Sequence, residues 1–351
     1  MPEEQKNSHK VRNFSLVILM LALVGGGAFY YFYWLRSPQY SLKLIQNAVA
    51  QHDTVSFEKH VDVNGVNAKA IDAMVTATIA PDDAKNPILA TMLDMVKNTA
   101  LPYFNSQMRT YVQTGSFAPL DDKSEGSQIA AATAARTGLE NLSVKSVGDV
   151  VRHNDQAAVS CELWDSKLEQ KFTIKLDMVR LEDHTWKLVG IANLGEFLVA
   201  HDDAVTLKLS KLNEPISADI DKRVAVVKDG SKEYKIERVD QQVNGIPVYT
   251  LQAAFSFKLL DPNVTGVRGN VEVYDANKQA IFSRAFDSEG KDLSKGDGVW
   301  GFADKWRLNA FDSMDKKLIE ADMSSCSTGI IFTGVKLSDG KEIKFLTELP
   351  E

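Results

Sequence analysis

Two histidines stand beside carboxylates near the start of the chain and are the first candidates for chemistry. His52 directly precedes Asp53, and His60 lies two positions before Asp62. A metal site needs several converging ligands, and a general base needs a group that titrates near neutral pH. The spacing fits neither pattern well, so we predict that His52 packs between two helices and bonds a backbone carbonyl. A ligand-binding or general-base role for His52 is the alternative.

An acidic stretch in the second half of the chain is the next candidate. Residues 287–292 place carboxylates at alternating positions, and Gly296 and Gly298 follow them. A calcium loop needs several hard oxygen ligands around a tight turn, but this stretch departs from EF-hand spacing. Lys291 and Lys295 also reduce its negative charge. We therefore predict a solvated hairpin loop, and we assign no metal ligand, no catalytic residue and no cofactor from the sequence.

Tryptophans supply the other candidate ligand contacts, because their rings line apolar pockets and stack on sugars. Trp164 directly follows a predicted strand, Trp186 falls within one, and Trp300 falls in the glycine-flanked stretch Gly298–Gly301. Together with His52 they form the predicted ligand-binding set. For Trp186 the alternative is a core position, and for Trp300 it is a packed anchor of a loop.

Composition bounds the class of protein. The chain has 351 residues, of which 44% are hydrophobic and 25% charged, as in ordinary globular domains. A net charge of −7 offers no basic surface, so we predict no nucleic-acid partner. Cys161 and Cys326 are too few for a disulfide framework. We predict buried free thiols, with a bridge between two domains as the alternative.

One uncharged stretch predicts where in the cell the chain is located. Residues 14–35 contain no charged side chain. At about 1.5 Å of rise per residue, such a helix reaches roughly 33 Å, enough to cross a hydrocarbon core of about 30 Å. We predict an uncleaved, single-pass signal anchor that contacts membrane lipid. The cell membrane is then the predicted location of the whole chain.

The residues around this span predict its orientation. Basic residues are slightly more numerous before it, which favours a cytoplasmic tail over residues 1–13 and later domains outside the cytoplasm. Aromatic side chains crowd residues 29–34 and suit the outer headgroup layer. Two alternatives stay open. Gly26 and Ala28 have the spacing of a signal-peptide cleavage site, and the stretch is also long enough for a buried helix of a soluble domain.

Residues 37–198 read as one α+β domain, because helical periodicity comes first and strand periodicity follows. A turn is predicted at Asp62–Gly65. Predicted helices begin after caps at Ser41 and Asp53 and cover residues 66–79, 88–112 and 128–139. Predicted strands cover residues 142–147, 156–163, 168–180 and 185–191.

The juxtamembrane run SPQYSLKLIQNAVAQHDTVSFEKHVDVNGV resembles the start of an uncharacterised bacterial family whose members have one N-terminal span and then this helical pair. The resemblance covers residues 37–195 and implies a domain of unknown function. Helices followed by a sheet with a tryptophan in its last strand are also similar in outline to cone-shaped domains of the nuclear-transport-factor type. That analogy concerns the fold alone. The positions that carry the family resemblance are Ser37, Pro38, Tyr40, Ser41, Leu42, Ile45, Ala48, His52, Asp53, Phe57, Val61 and Asp62.

The remaining chain predicts a connector over residues 199–222 and an all-β domain over residues 223–351. Short alternating strands separated by Asn-Gly, Asp-Gly and Asp-Pro-Asn turns favour a β-sandwich. The hairpin around Val271–Asp275 is similar to those of small immunoglobulin-like modules in bacterial surface proteins. Predicted strands cover residues 223–228, 234–239, 248–260, 269–274, 279–286, 306–311, 329–336 and 341–346.

These features lead to a functional hypothesis. An anchor, two outer domains and the lack of a converging polar set in the sequence predict a non-enzymatic binding or scaffold protein of the bacterial cell envelope. Its partner would be an envelope protein or a glycan. The alternative is a small-ligand sensor or an enzyme that uses a cavity in the first outer domain, near His52, Trp164 and Trp186.

Overall fold

The chain forms an α+β structure with antiparallel sheets, as the sequence predicts. Two compact units divide between Val205 and Thr206. A computed structural model describes residues 30–78, 87–119, 126–128, 141–228, 234–288, 298–310 and 312–350.

The first unit starts with a π-helical turn at Tyr30–Trp34, continues through helices and ends in an antiparallel meander of order β1-β2-β3-β4. The helices are α1 (Pro38–Ala50), α2 (Thr54–His60), α3 (Val63–Thr78) and α4 (Pro87–Thr114). The strands are β1 (Leu142–His153), β2 (Gln156–Asp165), β3 (Gln170–Arg180) and β4 (Trp186–Ile191).

Helix α1 begins earlier than the sequence predicts. Ser37, rather than Ser41, is its N-cap, and the Ser37 Oγ accepts a hydrogen bond from the Tyr40 N–H at 3.1 Å. Pro38 occupies the first helical turn, where its fixed φ is favourable and its missing N–H costs nothing. The cap predicted at Asp53 is confirmed, because its carboxylate accepts from the Ser56 N–H at 3.0 Å.

The turn predicted at Asp62–Gly65 is instead the start of helix α3. The Asp62 Oδ1 accepts a hydrogen bond from the Gly65 N–H at 3.1 Å, which satisfies one of the free donors at the helix start. The same Asp-x-x-Gly pattern therefore serves as a helix cap here. The helix predicted over residues 66–79 corresponds to α3, which covers Val63–Thr78.

Helix α1 covers one face of the first unit's sheet. Leu42 packs with the buried Val159, Cys161, Met178 and Trp186. On strand β2, side chains alternate between this covered face and the opposite, half-buried face. The period-two pattern of β2 therefore places its odd-numbered residues in the core.

Helix α5 (Leu194–Asp221) begins in the first unit and ends in the second. The predicted connector, residues 199–222, is thus almost entirely helical. Pro215 lies inside this helix. The helix continues through this proline.

The second unit contains two antiparallel sheets that share one hydrophobic core, a sandwich-like arrangement. Rings from both sheets meet there, with Phe255 lying 5.1 Å from Phe286 between centroids. One sheet has the order β10-β7-β5, with β6 also pairing with β7, and the other has the order β12-β11-β8-β9. The strands are β5 (Val224–Val227), β6 (Lys235–Val243), β7 (Ile246–Leu259), β8 (Val264–Tyr274), β9 (Ala280–Asp287), β10 (Val299–Arg307), β11 (Ser327–Leu337) and β12 (Glu342–Lys344).

Strand β10 and helix α6 (Ser313–Glu320) depart from the prediction of a strand over residues 306–311. The strand lies earlier in the chain, and Arg307 ends it. Asp312 then caps α6, because its Oδ1 accepts from the N–H groups of Met314 and Asp315. An aspartate before a periodic segment was the available signal for this helix.

The Asn244-Gly245 turn between β6 and β7 matches the prediction. Both residues have positive φ, 53° and 79°, as a two-residue type I′ hairpin requires. The turn fixes the register in which Val243 pairs with Ile246.

No helix among the described residues is long and apolar enough to cross a membrane. Most of the predicted span, residues 14–35, lies outside the described residues, and only its last six residues fall within them. The transmembrane anchor therefore stays a prediction.

A glycine pair in the second unit gives a test of its packing. A Cβ at Gly269 would lie 2.5 Å from the Ile331 carbonyl oxygen and 2.5 Å from the Phe286 ring, whereas a Cβ at Gly301 would meet nothing within 4 Å. We expect Gly269→Ala to cost roughly 1–3 kcal/mol, because backbone must move to admit the methyl group. Gly301→Ala is the control. Hydrogen exchange of β8 and β11 measures the effect, and equal protection in both variants would contradict it.

Candidate functional site

The four predicted ligand-binding residues are divided between the two units. His52, Trp164 and Trp186 belong to the first unit, and Trp300 belongs to the second. Each of them has its own set of partners within its unit.

His52 lies in the corner between α1 and α2 and has a left-handed backbone φ of 58°. Its Nδ1–H donates to the carbonyl oxygen of Val112 at 2.8 Å. Val112 lies in the last turn of α4, where carbonyl groups lack intrahelical partners. The imidazole thus fastens the α1–α2 corner to the end of α4, which is the packing role given above as the main interpretation.

Trp186 is a core residue with 2% of its surface exposed. Its backbone N–H donates to the Ser41 Oγ at 2.9 Å, and its indole Nε1–H donates to the Arg36 carbonyl at 2.9 Å. Its own carbonyl accepts a hydrogen bond from the His60 Nδ1–H at 3.2 Å. The three polar groups of Trp186 therefore form hydrogen bonds with the segment before α1, with α1 and with α2.

Trp164 lies on the half-buried face of β2, opposite the face that holds Cys161 and Leu163. Its cross-strand neighbours are Ser143 on β1 and Lys171 on β3. Trp164 and Trp186 consequently do not frame a common pocket, because Trp186 faces α1.

Trp300 lies within strand β10 rather than in a loop, and it pairs with Phe257 on β7. Its side chain is half-buried against the core of the second unit. The indole Nε1 is buried and has no hydrogen-bond partner in the described part of the chain. The ring is an anchor of the sheet, so the packed alternative describes it better than an exposed platform.

A buried ionisable pair escaped the sequence analysis. The His201 Nε2 lies 2.9 Å from the Asp165 Oδ2, and their side chains are 4% and 2% exposed. The Asp165 Oδ1 also accepts from the Leu168 N–H at 2.7 Å. A buried carboxylate needs such partners. The clue was the alternation of β2, which puts Asp165 on the same face as Cys161.

Aromatic rings enclose this pair. The His201 ring lies 5.3 Å from the Phe172 ring and 5.7 Å from the Phe197 ring, and both phenylalanines are buried. The arrangement joins α5 to strands β2 and β3. Because the pair is enclosed and no nucleophile or third ligand is seen with it in the described residues, it serves to fix this helix to the sheet.

His60 is a second buried histidine, 4% exposed. Burial lowers its pKa below the ordinary value, because the imidazolium form loses hydration, and the nearby Lys59 cation acts in the same direction. The hydrogen bond to the Trp186 carbonyl opposes this shift only in part. His60 is therefore held neutral at a contact between α2 and β4.

Two surface depressions are the remaining candidates for ligand binding. An open groove of about 640 Å³ runs between α3 and α5 in the first unit, with an apolar floor at Ala73, Val199 and Ala200 and carboxylates on its rim. A smaller cleft of about 170 Å³ crosses β8, β9, β11 and β12 in the second unit. In that cleft the Arg268 guanidinium pairs with Asp287 at 2.7 Å, so its charge is already neutralised.

Metal ligands and cysteine thiols are further groups that could carry chemistry. The described residues contain no cluster of three or more His, Cys, Asp or Glu side chains arranged to hold a metal ion. Cys161 is buried and free, and burial raises the pKa of its thiol. Cys326 is free as well but only half-buried, so the predicted burial holds for Cys161 alone.

Comparison of the chain with protein-family models, curated proteins and solved structures gave no significant match. The resemblance of residues 37–195 to an uncharacterised membrane-anchored family therefore stays a prediction. So do the cone-like and immunoglobulin-like descriptions of the two outer domains. The function must be argued from the geometry of the chain itself.

His60 predicts a pH dependence of stability. In the unfolded chain its imidazole titrates near pH 6.5, and in the folded chain its pKa is lower. Between these two values the unfolded state binds more protons, so the free energy of unfolding falls as pH drops below about 7 and levels off under the folded pKa.

His60→Asn keeps an N–H donor for the Trp186 carbonyl and removes the titration. We expect urea midpoints of the wild type to fall more steeply than those of His60→Asn between pH 8 and pH 5. His153→Asn, at an exposed site, is the control. Parallel curves for the wild type and His60→Asn would show that the histidine is not the cause.

The buried pair gives a second stability prediction. His201→Ala leaves the Asp165 carboxylate buried without its imidazole partner, and we expect a loss of roughly 2–4 kcal/mol in the free energy of unfolding. His201→Gln, which retains a donor near the Nε2 position, should recover part of that loss. The exposed His153→Ala is the control. Urea denaturation measures all three, and equal midpoints for the two alanine variants would rule out the assigned role.

Proposed function

We propose that the chain is a non-enzymatic binding or scaffold protein of the bacterial cell envelope, anchored in the membrane by residues 14–35 and folded outside the cytoplasm. The observation that carries this proposal is the packed layer between α1 and the sheet of the first unit. An enzyme or sensor built on a cone-shaped domain needs an open cavity with converging polar groups. His52 and Trp186, two of the residues predicted to line such a cavity, form packing and hydrogen-bond contacts instead.

The packing of α1 is the specific support. Leu42 and Ile45 contact the buried core of the sheet, which includes Val159 and Met178. Trp186 completes this layer and has each of its polar groups hydrogen-bonded. In the described part of the unit, a small molecule could enter between α1 and the strands beneath it only by unfolding this contact.

The start of the folded unit supports the tether. Ser37 is buried, and its Oγ–H donates to the Trp34 carbonyl at 2.7 Å. Tyr30, Tyr33 and Trp34 are 55%, 57% and 41% exposed, which is unusual for such large rings and suits the headgroup layer of a membrane. The first unit therefore follows the predicted span directly, and a membrane anchor there would hold it at the bilayer surface.

The groove between α3 and α5 supports the second candidate, a sensor of small ligands. Its apolar floor suits a hydrophobic ligand body, and the Asp72, Glu196 and Asp203 carboxylates on its rim suit a cationic group. Asp72 already pairs with Lys97 at 2.7 Å. The groove is open to solvent and lies apart from His52 and Trp186, so it is the weaker of the two candidates.

The membrane tether is tested by a charge placed in the predicted span. We expect the full-length protein to stay with membranes in alkaline carbonate and its C-terminal end to be cut by protease added to spheroplasts. Leu21→Arg should weaken insertion by about 2.5–3.5 kcal/mol if residue 21 lies at the centre of the span. Leu207→Arg, at an exposed position of α5, is the control.

Release of the wild type by carbonate, or a C-terminal end sealed from external protease, would overturn the tether. Capture of the same envelope protein or glycan by the folded full chain, but not by the full chain unfolded in urea, would support the binding role. Turnover of a substrate by the purified chain would favour the enzyme alternative instead.

A further inference from the structure

Strand β1 is a long, unpaired edge of the first unit. It has 12 residues and pairs with β2 along one side, and no other described strand pairs with it. Nearly all of its side chains are exposed. A strand with free N–H and C=O groups along one edge is a template for pairing with another strand.

Two irregularities in β1 gather valines on one face. Val144, Val147 and Val150 lie opposite Leu163, Cys161 and Val159, which follow each other at two-residue spacing on the core face of β2. The register shifts after Val144 and after Val147, so β1 advances three residues for each two on β2. A regular strand would send these valines to alternate faces.

Two of the three valines are not covered by the rest of the described chain. Val144 is 57% exposed and Val147 is 39% exposed, whereas Val150 is half-buried against the core under α1. The three share the sheet face that α1 covers over β2, but the cover does not extend to Val144 and Val147. An apolar strip beside a free strand edge is the combination used in strand-addition interfaces.

The charges of β1 identify the strand that fits this edge. Lys145 and Asp149 are equally distant from Val147 along the chain, and both are exposed. If a second β1 ran antiparallel with Val147 facing its own copy, each Lys145 would lie opposite the Asp149 of the second copy. Val144 would then lie opposite Val150. Neither charged residue has an ion-pair partner within the described part of this chain.

We infer that β1 pairs with the β1 of a second copy of this chain, in an antiparallel register centred on Val147. Bulges and lysines also occur as devices that block edge pairing, and a monomer is the outcome they would give. A blocking edge repels its own copy, whereas in this register the positions related by the two-fold axis, 145 and 149, carry opposite charges, and Arg152 lies opposite Leu142 of the second copy. The contact is isologous, so two identical edges close it without leaving a growing end.

The interface is small, so the expected dimer is weak in solution. Each dimer contains two equivalent Lys–Asp pairs, and opposite charges facing each other across strands are stabilising while like charges are destabilising. Reversing one charge per chain therefore converts two attractive pairs into two repulsive ones. We expect the dimer dissociation constant to rise on the order of tenfold or more. The pairing itself does not depend on the membrane anchor.

The test uses the full chain in detergent, with the dissociation constant measured by sedimentation equilibrium. Lys145→Glu and Asp149→Lys should each weaken dimerisation, and the double variant K145E/D149K should restore it. A mixture of the two single variants should form a heterodimer, because the glutamate introduced in one chain then faces the lysine introduced in the other. The second pair of that heterodimer consists of the native Asp149 and the native Lys145. A gain from mixing is a result that unfolding of either variant would not produce.

A cysteine at the centre of the register gives an independent measurement. Residue 147 faces itself across the proposed two-fold axis, and opposed strand positions bring Cα atoms within the range of about 4.4–6.8 Å that a disulfide needs. We expect Val147→Cys to form a disulfide-linked dimer under mild oxidation. Val55→Cys is the matched control, because Val55 is 81% exposed but lies on α2.

Three results would overturn the inference. One is a chain that stays monomeric across the measured concentrations. Another is a dimer whose dissociation constant is unchanged by both single charge reversals. The last is Val147→Cys linking no better than Val55→Cys. Restoration by the double variant together with selective linking at position 147 would support the proposed register.

Discussion

The attachment of Trp186 to the N-terminal helices is the contact on which the first unit depends. Trp186, at the start of strand β4, forms three hydrogen bonds, with Arg36, Ser41 and His60. These partners are more than a hundred residues away in sequence, so the contact closes a long loop and must repay its entropy through burial. The indole supplies that burial, and the neutral His60 avoids placing a charge beside it. The face of the sheet beneath α1 is packed as a result.

The same contact couples the fold to the predicted membrane span. The Arg36 carbonyl accepts from the Trp186 indole, so the chain between the last residues of the predicted span and helix α1 is itself bound to the sheet. Arg152 adds to this junction, because its guanidinium lies 5.8 Å from the Tyr33 ring and 5.9 Å from the Trp186 ring. If residues 14–35 form the proposed anchor, a unit attached so directly would move with it, and its exposed edges would keep a restricted orientation relative to the bilayer. Restricted orientation raises the effective concentration of partners held in the same membrane.

Sequence patterns within a few residues predicted much of the fold, but contacts between residues far apart in the chain determine the rest. The cap at Asp53, the Asn244-Gly245 hairpin and the strand content follow from patterns within a few residues, and they were predicted. The pair formed by His201 and Asp165 was missed because its members are far apart and carry no motif. The role of His52 was anticipated as a carbonyl contact, but its partner on α4 was not visible from the sequence. The partners of Trp164 and Trp186 were not visible for the same reason, since residue type alone does not indicate which face of a strand meets a helix.

The two edge strands of the first unit's sheet, β1 and β4, differ in how far the described chain covers them. The outer edge of β4 is closed by the chain after α2, where Val61 forms a parallel bridge with Leu188 and the Asp62 N–H donates to the Leu188 carbonyl at 2.8 Å. The β1 edge has no such closure within the described residues. The chain covers the β4 edge with its own backbone. We therefore attribute the uncovered β1 edge to a partner strand that binds there. Strand addition at β1 would extend the sheet in the direction that the described architecture leaves free.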